Sequence, residues 1–263
     1  MNHSKIPSFD SAAAEYDADF TFSEIGKLQR KRVYHWLNKI SFFKEPKRVF
    51  EVNCGTGYDA QLFTDLGHKV IATDGSEKMV KVAQKRNPNL KIYLRNFIDI
   101  SIDDNVGNSE VVFSNFGGLN CLSEDQLSSF FNELAKHQKK GDTFVSVIMP
   151  NHCFVADGYH LLKGKFNQIG RRNRKEFLEV EVNGESIRTY YHHPTTVANL
   201  LCSNYQIILK KPVAIFLPPS YMELFFKRNN WLLKGLYFLE RIFGNISFLS
   251  SNADHYIIVA ERK

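Results

Sequence analysis

Cysteine is scarce and scattered in this chain of 263 residues. Cys54, Cys121, Cys153 and Cys202 are widely spaced, and no two form a C-x-x-C pair. This argues against a disulfide framework or a zinc site and predicts reduced, mostly buried thiols with no metal. A run of about 18 uncharged apolar residues is also missing, so no segment is expected to span a membrane. The opening MNHSKIPSFD has no basic start leading into an apolar stretch, so it does not read as a secretory signal, and a cytoplasmic location is expected. Repeats, low-complexity tracts and a recognisable linker are absent too.

What is present fits an ordinary globular protein, with 43% hydrophobic and 24% charged residues. A chain of this length suffices for one large domain or a domain with an elaborated lid, and can bury roughly three quarters of its unfolded surface. Aromatics are abundant at 13%, including 22 Phe, which points to a large core or an apolar pocket. The formal charge of +6 permits an anionic ligand or a membrane surface and demands neither.

Hydrophobic periodicity gives the organisation. FSEIGKLQRKRVYHWLNKI (22–40) is an amphipathic helix. KRVFEVN, KVIATD, LKIYLR, EVVFSN and DTFVSVIMP read as strands. Between them lie helices YDAQLFTDLG, SEKMVKVAQKR (Ser76 as N-cap) and SEDQLSSFFNELAKHQ. Strands alternating with helices predict a parallel, doubly wound sheet. After Pro150 the pattern changes. Asn183-Gly184 between two alternating runs predicts a hairpin. It is followed by a helix at 195–203, a long strand YQIILKKPVAIFL, a helix over 222–243 and a terminal strand DHYIIVAER.

A turn between a buried strand and a helix lets a ligand approach closely where glycine removes the side chain. GTGYDA (55–60) satisfies the dinucleotide pattern G-x-G-x-x-A, and Asp74 at the end of the second strand is placed to accept ribose hydroxyls. A nicotinamide oxidoreductase is therefore a competing reading. Three features weigh against it. Glu51 would be unwelcome beside a pyrophosphate and suits a ligand with a positive group. GSEKM after Asp74 supplies a serine-capped helix and Met79, able to lie against a base. SNFGGLNC gives a polar, glycine-bearing loop at the carboxyl edge of the sheet.

In order, VFEVNCGTG, VIATDGSEKM, IYLRNFIDI and VVFSNFGGLN resemble the successive motifs of class I S-adenosylmethionine-dependent methyltransferases. The upstream FDSAAAEYDADF resembles the cap of small-molecule members. The resemblance covers residues 9 to 150 strongly and the rest in outline. It implies S-adenosylmethionine as cofactor, with Glu51 anchoring the first motif and Asn53, Cys54, Gly55 and Gly57 around the methionyl part. Asp74 and Gly75 would meet the ribose and Met79 the adenine. Asn96 stands where members often carry an aspartate facing the adenine amine, with Phe97 beside it and Asp99 as an alternative. Ser114, Asn115 and Phe116 would line the cofactor, and Tyr16 would close over it. Asn53 replaces the usual first glycine of the motif, and asparagine tolerates left-handed geometry better than other side chains.

The expected fold is α/β, a doubly wound Rossmann-like seven-stranded sheet with an antiparallel terminal strand and an inserted β-hairpin lid. The expected division is a cap at 1–45, a cofactor-binding core at 46–150, a lid insertion at 151–193 and completion of the sheet at 194–263. His152, His160, His192, His193 and His255 fall in the acceptor half. Of these, His192, His193 and His152 are taken as candidate catalytic bases. RRNRK (171–175) reads as a solvated loop, and FFKRNNWLLKGLYFLERIF as a helix packed on the sheet or lining an apolar pocket rather than a membrane contact. The expected partner is a small, apolar or aromatic acceptor methylated on oxygen or nitrogen, with no nucleic acid. An RNA methyltransferase and a non-catalytic S-adenosylmethionine-binding protein are the alternatives.

Overall fold

The computed structural model describes residues 9–102, 104–173 and 176–263. The first eight residues of MNHSKIPSFD, and Arg174 and Lys175 of the basic run, lie outside the described residues. The strands of the main sheet are β1 (Arg48–Glu51), β2 (Lys69–Asp74), β3 (Lys91–Leu94), β4 (Val111–Ser114), β5 (Thr143–Ile148), β8 (Tyr205–Val213) and β9 (His255–Arg262). They lie in the order β3-β2-β1-β4-β5-β9-β8. The first five pair in parallel, while β9 runs antiparallel to both β5 and β8. A separate hairpin joins β6 (Leu178–Val182) to β7 (Glu185–Thr189). Its turn is Asn183-Gly184, with φ of 48° and 82°, the positive pair that a tight right-twisted hairpin requires.

The helices are α1 (Glu24–Lys39), α2 (Tyr58–Asp65), α3 (Glu77–Arg86), α4 (Asp104–Gly107), α5 (Glu124–His137), α6 (Phe154–Leu162), α7 (Pro194–Cys202), α8 (Glu223–Arg228) and α9 (Asn230–Phe243). Side chains alternate across the strands, so the sheet is buried on both faces. Val49, Val111 and Phe113 pack on one side with Val33, Trp36 and Phe63. Phe50, Val112 and Phe144 pack on the other with Phe131 and Leu201. Serines start three helices as strong N-caps: Ser23, Ser76 and Ser123 accept N–H bonds from Gly26, Met79 and Gln126.

Two expectations after Pro150 change. The helix foreseen over 222–243 is broken at Asn229 (φ −125°, ψ 50°), giving α8 and α9. The strand foreseen to 217 stops at Val213, because Ala214 turns the chain with φ 66°. Cys54, Cys121 and Cys153 are buried and Cys202 is exposed, all four as free thiols. No helix among the described residues is long and apolar enough to cross a membrane.

Candidate active site

The carboxyl ends of β1, β2, β4 and β5 open into a cavity of about 380 Å³. Its inner half is built by the turn after β1, the end of β2 and the loop after β4. Phe9, Ala12, Tyr16 and Phe20 of the amino-terminal segment form a cover. Eight of the residues expected around a cofactor are on the wall: Tyr16, Asn53, Cys54, Gly55, Asp74, Met79, Asn115 and Phe116. Gly55 has φ 53°, and a Cβ added there would meet only the Tyr16 ring, at 3.8 Å. Bare backbone therefore faces the cavity at that point.

Asp74 is oriented by two backbone donors: Gly55 N–H to Oδ2 at 2.8 Å and Ser76 N–H to Oδ1 at 2.9 Å. Burial raises its pKa and these bonds oppose the shift. Each oxygen keeps acceptor capacity for a further donor. The N–H groups of Cys54, Gly55 and Gly57 already donate to Thr73, Asp74 and Cys54. What the turn offers a ligand at these positions is proximity.

Six expected residues are off the wall. Gly57 (φ 75°) starts α2, and a Cβ there would lie 2.7 Å from Asn87 Nδ2 and 3.1 Å from Ala83 Cβ, so helix packing demands this glycine. Ser114 is fully buried and donates to Asn53 Oδ1. Asn96 accepts the Phe97 N–H at 3.1 Å, and its side chain stacks by Gly75. Glu51 is buried, its Oε2 has no partner, and burial, with Asp59 adding, pushes its pKa well up. Burial thus favours the neutral acid, and Glu51 is a poor anionic complement to a positive ligand. Asn53 also departs from expectation, since its φ is not among the positive values. Its side chain instead bridges β1 to β4, donating to Asn115 O at 2.7 Å.

The outer half of the cavity was not legible in the motifs. Val180, Val182, Ile187 and Thr189 of the hairpin, Tyr191, Pro219 and Tyr221 line it, together with Arg171, Arg172, Asp254 and His255. Asp254 Oδ1 accepts Arg172 Nη2 at 2.6 Å and Oδ2 accepts Gln29 Nε2 at 3.1 Å. His255 Nδ1 lies 3.1 Å from Asp254 Oδ2. Burial alone would raise Asp254, but His255 and Arg172 beside it hold its carboxyl well below the usual range. Burial pushes Tyr221 up to about 12. Deeper in, Asp59 binds Arg30, Tyr34 and Asn115. The available signals were faint: a charged pair directly before an apolar strand, and an acid inside the apolar face of α2.

The three histidines taken as bases are elsewhere. His192 is buried with Nε2 3.0 Å from Leu122 O, and burial pulls its pKa down to about 4. His193 caps α7 by accepting Thr195 N–H. His152 does not reach the cavity wall. Arg172 corrects the solvated-loop expectation for the basic run, being buried against Asp254.

The seven-stranded sheet, with its cavity at the carboxyl ends of the parallel strands, has the Rossmann-like methyltransferase fold. A family model described as "Methyltransferase domain" matches residues 49–141. Comparison with curated proteins finds no match. Among solved structures, the chain is similar to the PH0226 protein from Pyrococcus horikoshii OT3, at 16% identity and TM-score 0.58, covering 95% of this chain and 99% of that one. It is similar to an S-adenosylmethionine dependent methyltransferase from Mesorhizobium loti, at 13% identity and TM-score 0.57, covering 83% and 91%. Magnesium protoporphyrin IX methyltransferase from Synechocystis PCC 6803 with bound SAM has 12% identity and TM-score 0.56, covering 97% and 93%. The residues present fit that cofactor: bare backbone at Gly55, spare acceptor sites on Asp74 and the apolar side chain of Met79 share one wall.

Proposed function

We propose that the protein methylates an oxygen or nitrogen of a small acceptor with an apolar or aromatic body and an acidic substituent. Asp74 accepts the ribose hydroxyls, Met79 packs against the adenine, and Gly55 gives the methionyl part room. Tyr16 and Phe20 of the cover exclude water. The bound cofactor supplies a methyl group already activated by its sulfonium. The chain then has to hold the nucleophile in line with that methyl and keep the site dry.

The observation that carries the reading is His255 on the outer wall with Nδ1 3.1 Å from Asp254 Oδ2. With Nδ1 set beside the Asp254 carboxylate, Nε2 is the ring nitrogen left to take the proton from an acceptor O–H or N–H. Arg172 and Gln29 hold Asp254 in turn. Tyr191, Ile187 and Pro219 supply an apolar surface for the acceptor body. Arg171, half-buried on the same wall, has no ion-pair partner among the described residues and suits the acidic substituent.

A screen of acceptors, read as S-adenosylhomocysteine formed, tests the substrate class. Turnover confined to polar acceptors without an acidic group overturns it. With an acceptor in hand, His255→Gln lowers kcat by roughly 10²-fold or more while S-adenosylhomocysteine binding, measured by calorimetry, stays unchanged. Wild-type turnover in that variant removes His255 as the base.

A further inference from the structure

One face of the molecule is apolar and exposed, and the acids of the helices that build it are turned inward. It is built by α6 and the turn after it, α8, α9 and the turn that follows. The helix α9 buries only Leu233 and Glu240 of its 14 residues. Leu162 is 89% exposed, Leu224 80%, Trp231 74% and Phe248 75%. Tyr159 of α6 packs on the small cluster under α8 and α9 that contains Met222, Phe226 and Leu233, which makes the face continuous.

The charges on this face are one-signed. Lys163, Lys165, Lys227, Arg228, Lys234 and Arg241 are all exposed. The acids of the same segments are turned inward. Asp157 accepts Gly170 N–H at 2.8 Å, and Glu223 accepts the N–H groups of Glu24 and Ile25 at 2.9 and 3.0 Å. Glu240 is fully buried and accepts Ala214 and Phe216 N–H at 3.0 and 2.9 Å. Exposed large apolar side chains with a cationic surround are what binds the headgroup level of an anionic bilayer. A second copy would instead set like charges against each other.

We propose that this face docks the protein on an anionic lipid surface. The cavity reaches the same face: Tyr221 lines the cavity, is half exposed, and its ring centroid lies 6.5 Å from that of Tyr159. A docked molecule therefore presents the cavity's edge to lipid, and an amphiphilic acceptor can reach it from the bilayer. That consequence rests on the proposed methyl transfer, whereas docking itself needs neither cofactor nor acceptor.

The test is flotation of the full chain with phosphatidylcholine vesicles and with vesicles containing phosphatidylglycerol. Trp231 is the reporter, because the other tryptophan, Trp36, is buried. The expected result is binding to the anionic vesicles alone, weakened by salt, with a blue-shifted emission that brominated lipid quenches. Trp231→Phe loses the shift. The triple variant Lys227→Glu, Arg228→Glu and Lys234→Glu loses roughly tenfold or more in partition, while both variants keep S-adenosylhomocysteine binding. Absence of vesicle binding, or equal binding to neutral and anionic vesicles, overturns the proposal. So does an emission shift that follows protein concentration without lipid, which marks self-association. None of these outcomes touches turnover of a soluble acceptor, so failure of docking and failure of the methyl-transfer reading remain distinct.

Discussion

Asn53 and Gly118 form one device. Asn53 replaces the first glycine of the motif, and its side chain needs the space that Gly118 leaves: a Cβ on Gly118 would lie 2.3 Å from Asn53 Cγ. Gly118→Ala therefore expels the Asn53 side chain from its bonds to Ser114 and Asn115, at a cost of about 1–3 kcal/mol in stability. Adding Asn53→Gly removes the clash. A double-mutant cycle in urea should give a coupling above about 0.5 kcal/mol, and additivity would show that the two residues do not interact. The motif spacing carried Gly55, Asp74, Met79 and Phe116 to the cavity, because one turn and two strand ends fix them. It missed Gly57 as a packing glycine and Glu51 as a buried acid, since sequence spacing does not report what stands behind a strand. The three expected histidines stay off the cavity wall for a similar reason. Strand alternation puts one of His192 and His193 inward, but inward here means the core beneath Leu122 and not the cavity.

His192 also sets a pH dependence. Its pKa is near 4 in the folded protein, against 6.5 in the unfolded chain. Between these values the unfolded state binds more protons, so stability rises with pH. The contribution is complete above about 6.5 and is lost as pH falls toward 4, with an upper limit of about 3 kcal/mol. Urea unfolding at a series of pH values should show this slope, and His192→Asn should flatten it. An unchanged slope in the variant would assign the acid sensitivity to other groups.

At the scale of elements, the second half of the chain was the less legible. Its strands and hairpin follow from alternation and Asn-Gly. The break between α8 and α9 follows from no strong breaker, only from backbone geometry at Asn229. The helix α9 is rich in apolar residues and was expected to pack on the sheet or line a pocket, yet it buries only Leu233 and Glu240. Glu240 is the principal polar anchor, joining α9 to the backbone at Ala214 and Phe216 and standing 3.4 Å from Arg32 Nε. Burial raises its pKa, and the backbone donors and Arg32 oppose this. Glu240→Ala leaves the buried Arg32 charge without its carboxylate and the Ala214 and Phe216 N–H groups without their acceptor. It should cost about 3–5 kcal/mol, with Glu240→Gln milder. Hydrogen exchange should accelerate first in 230–243. Uniform acceleration over the sheet would mean that α9 and the sheet unfold as one unit.

For the whole molecule, the cavity is closed by contacts between segments far apart in sequence. The cover sits against α3 and the hairpin: Ala12 and Ala13 pack with Met79 and Val182, and Ser11 Oγ donates to Val182 O at 3.0 Å. An ion pair between the cover and α3 also reaches the glycine turn. Asp17 binds Arg86, Arg86 Nη1 donates to Thr56 O at 3.1 Å, and Thr56 Oγ1 donates to Asp17 Oδ1 at 2.7 Å. Tyr16 and Phe20 cover the inner cavity, so a swing of this segment would open a path to it for a cofactor. The pair is partly exposed, so its loss should cost only about 1 kcal/mol, enough to raise the open population roughly fivefold. Arg86→Ala should then speed S-adenosylhomocysteine dissociation by about that factor in stopped-flow displacement. Proteolysis of the ligand-free protein within residues 9–22 should rise in step. A faster off-rate with unchanged proteolysis would place the effect in the glycine turn, and an unchanged off-rate would mean that the ligand does not pass the cover.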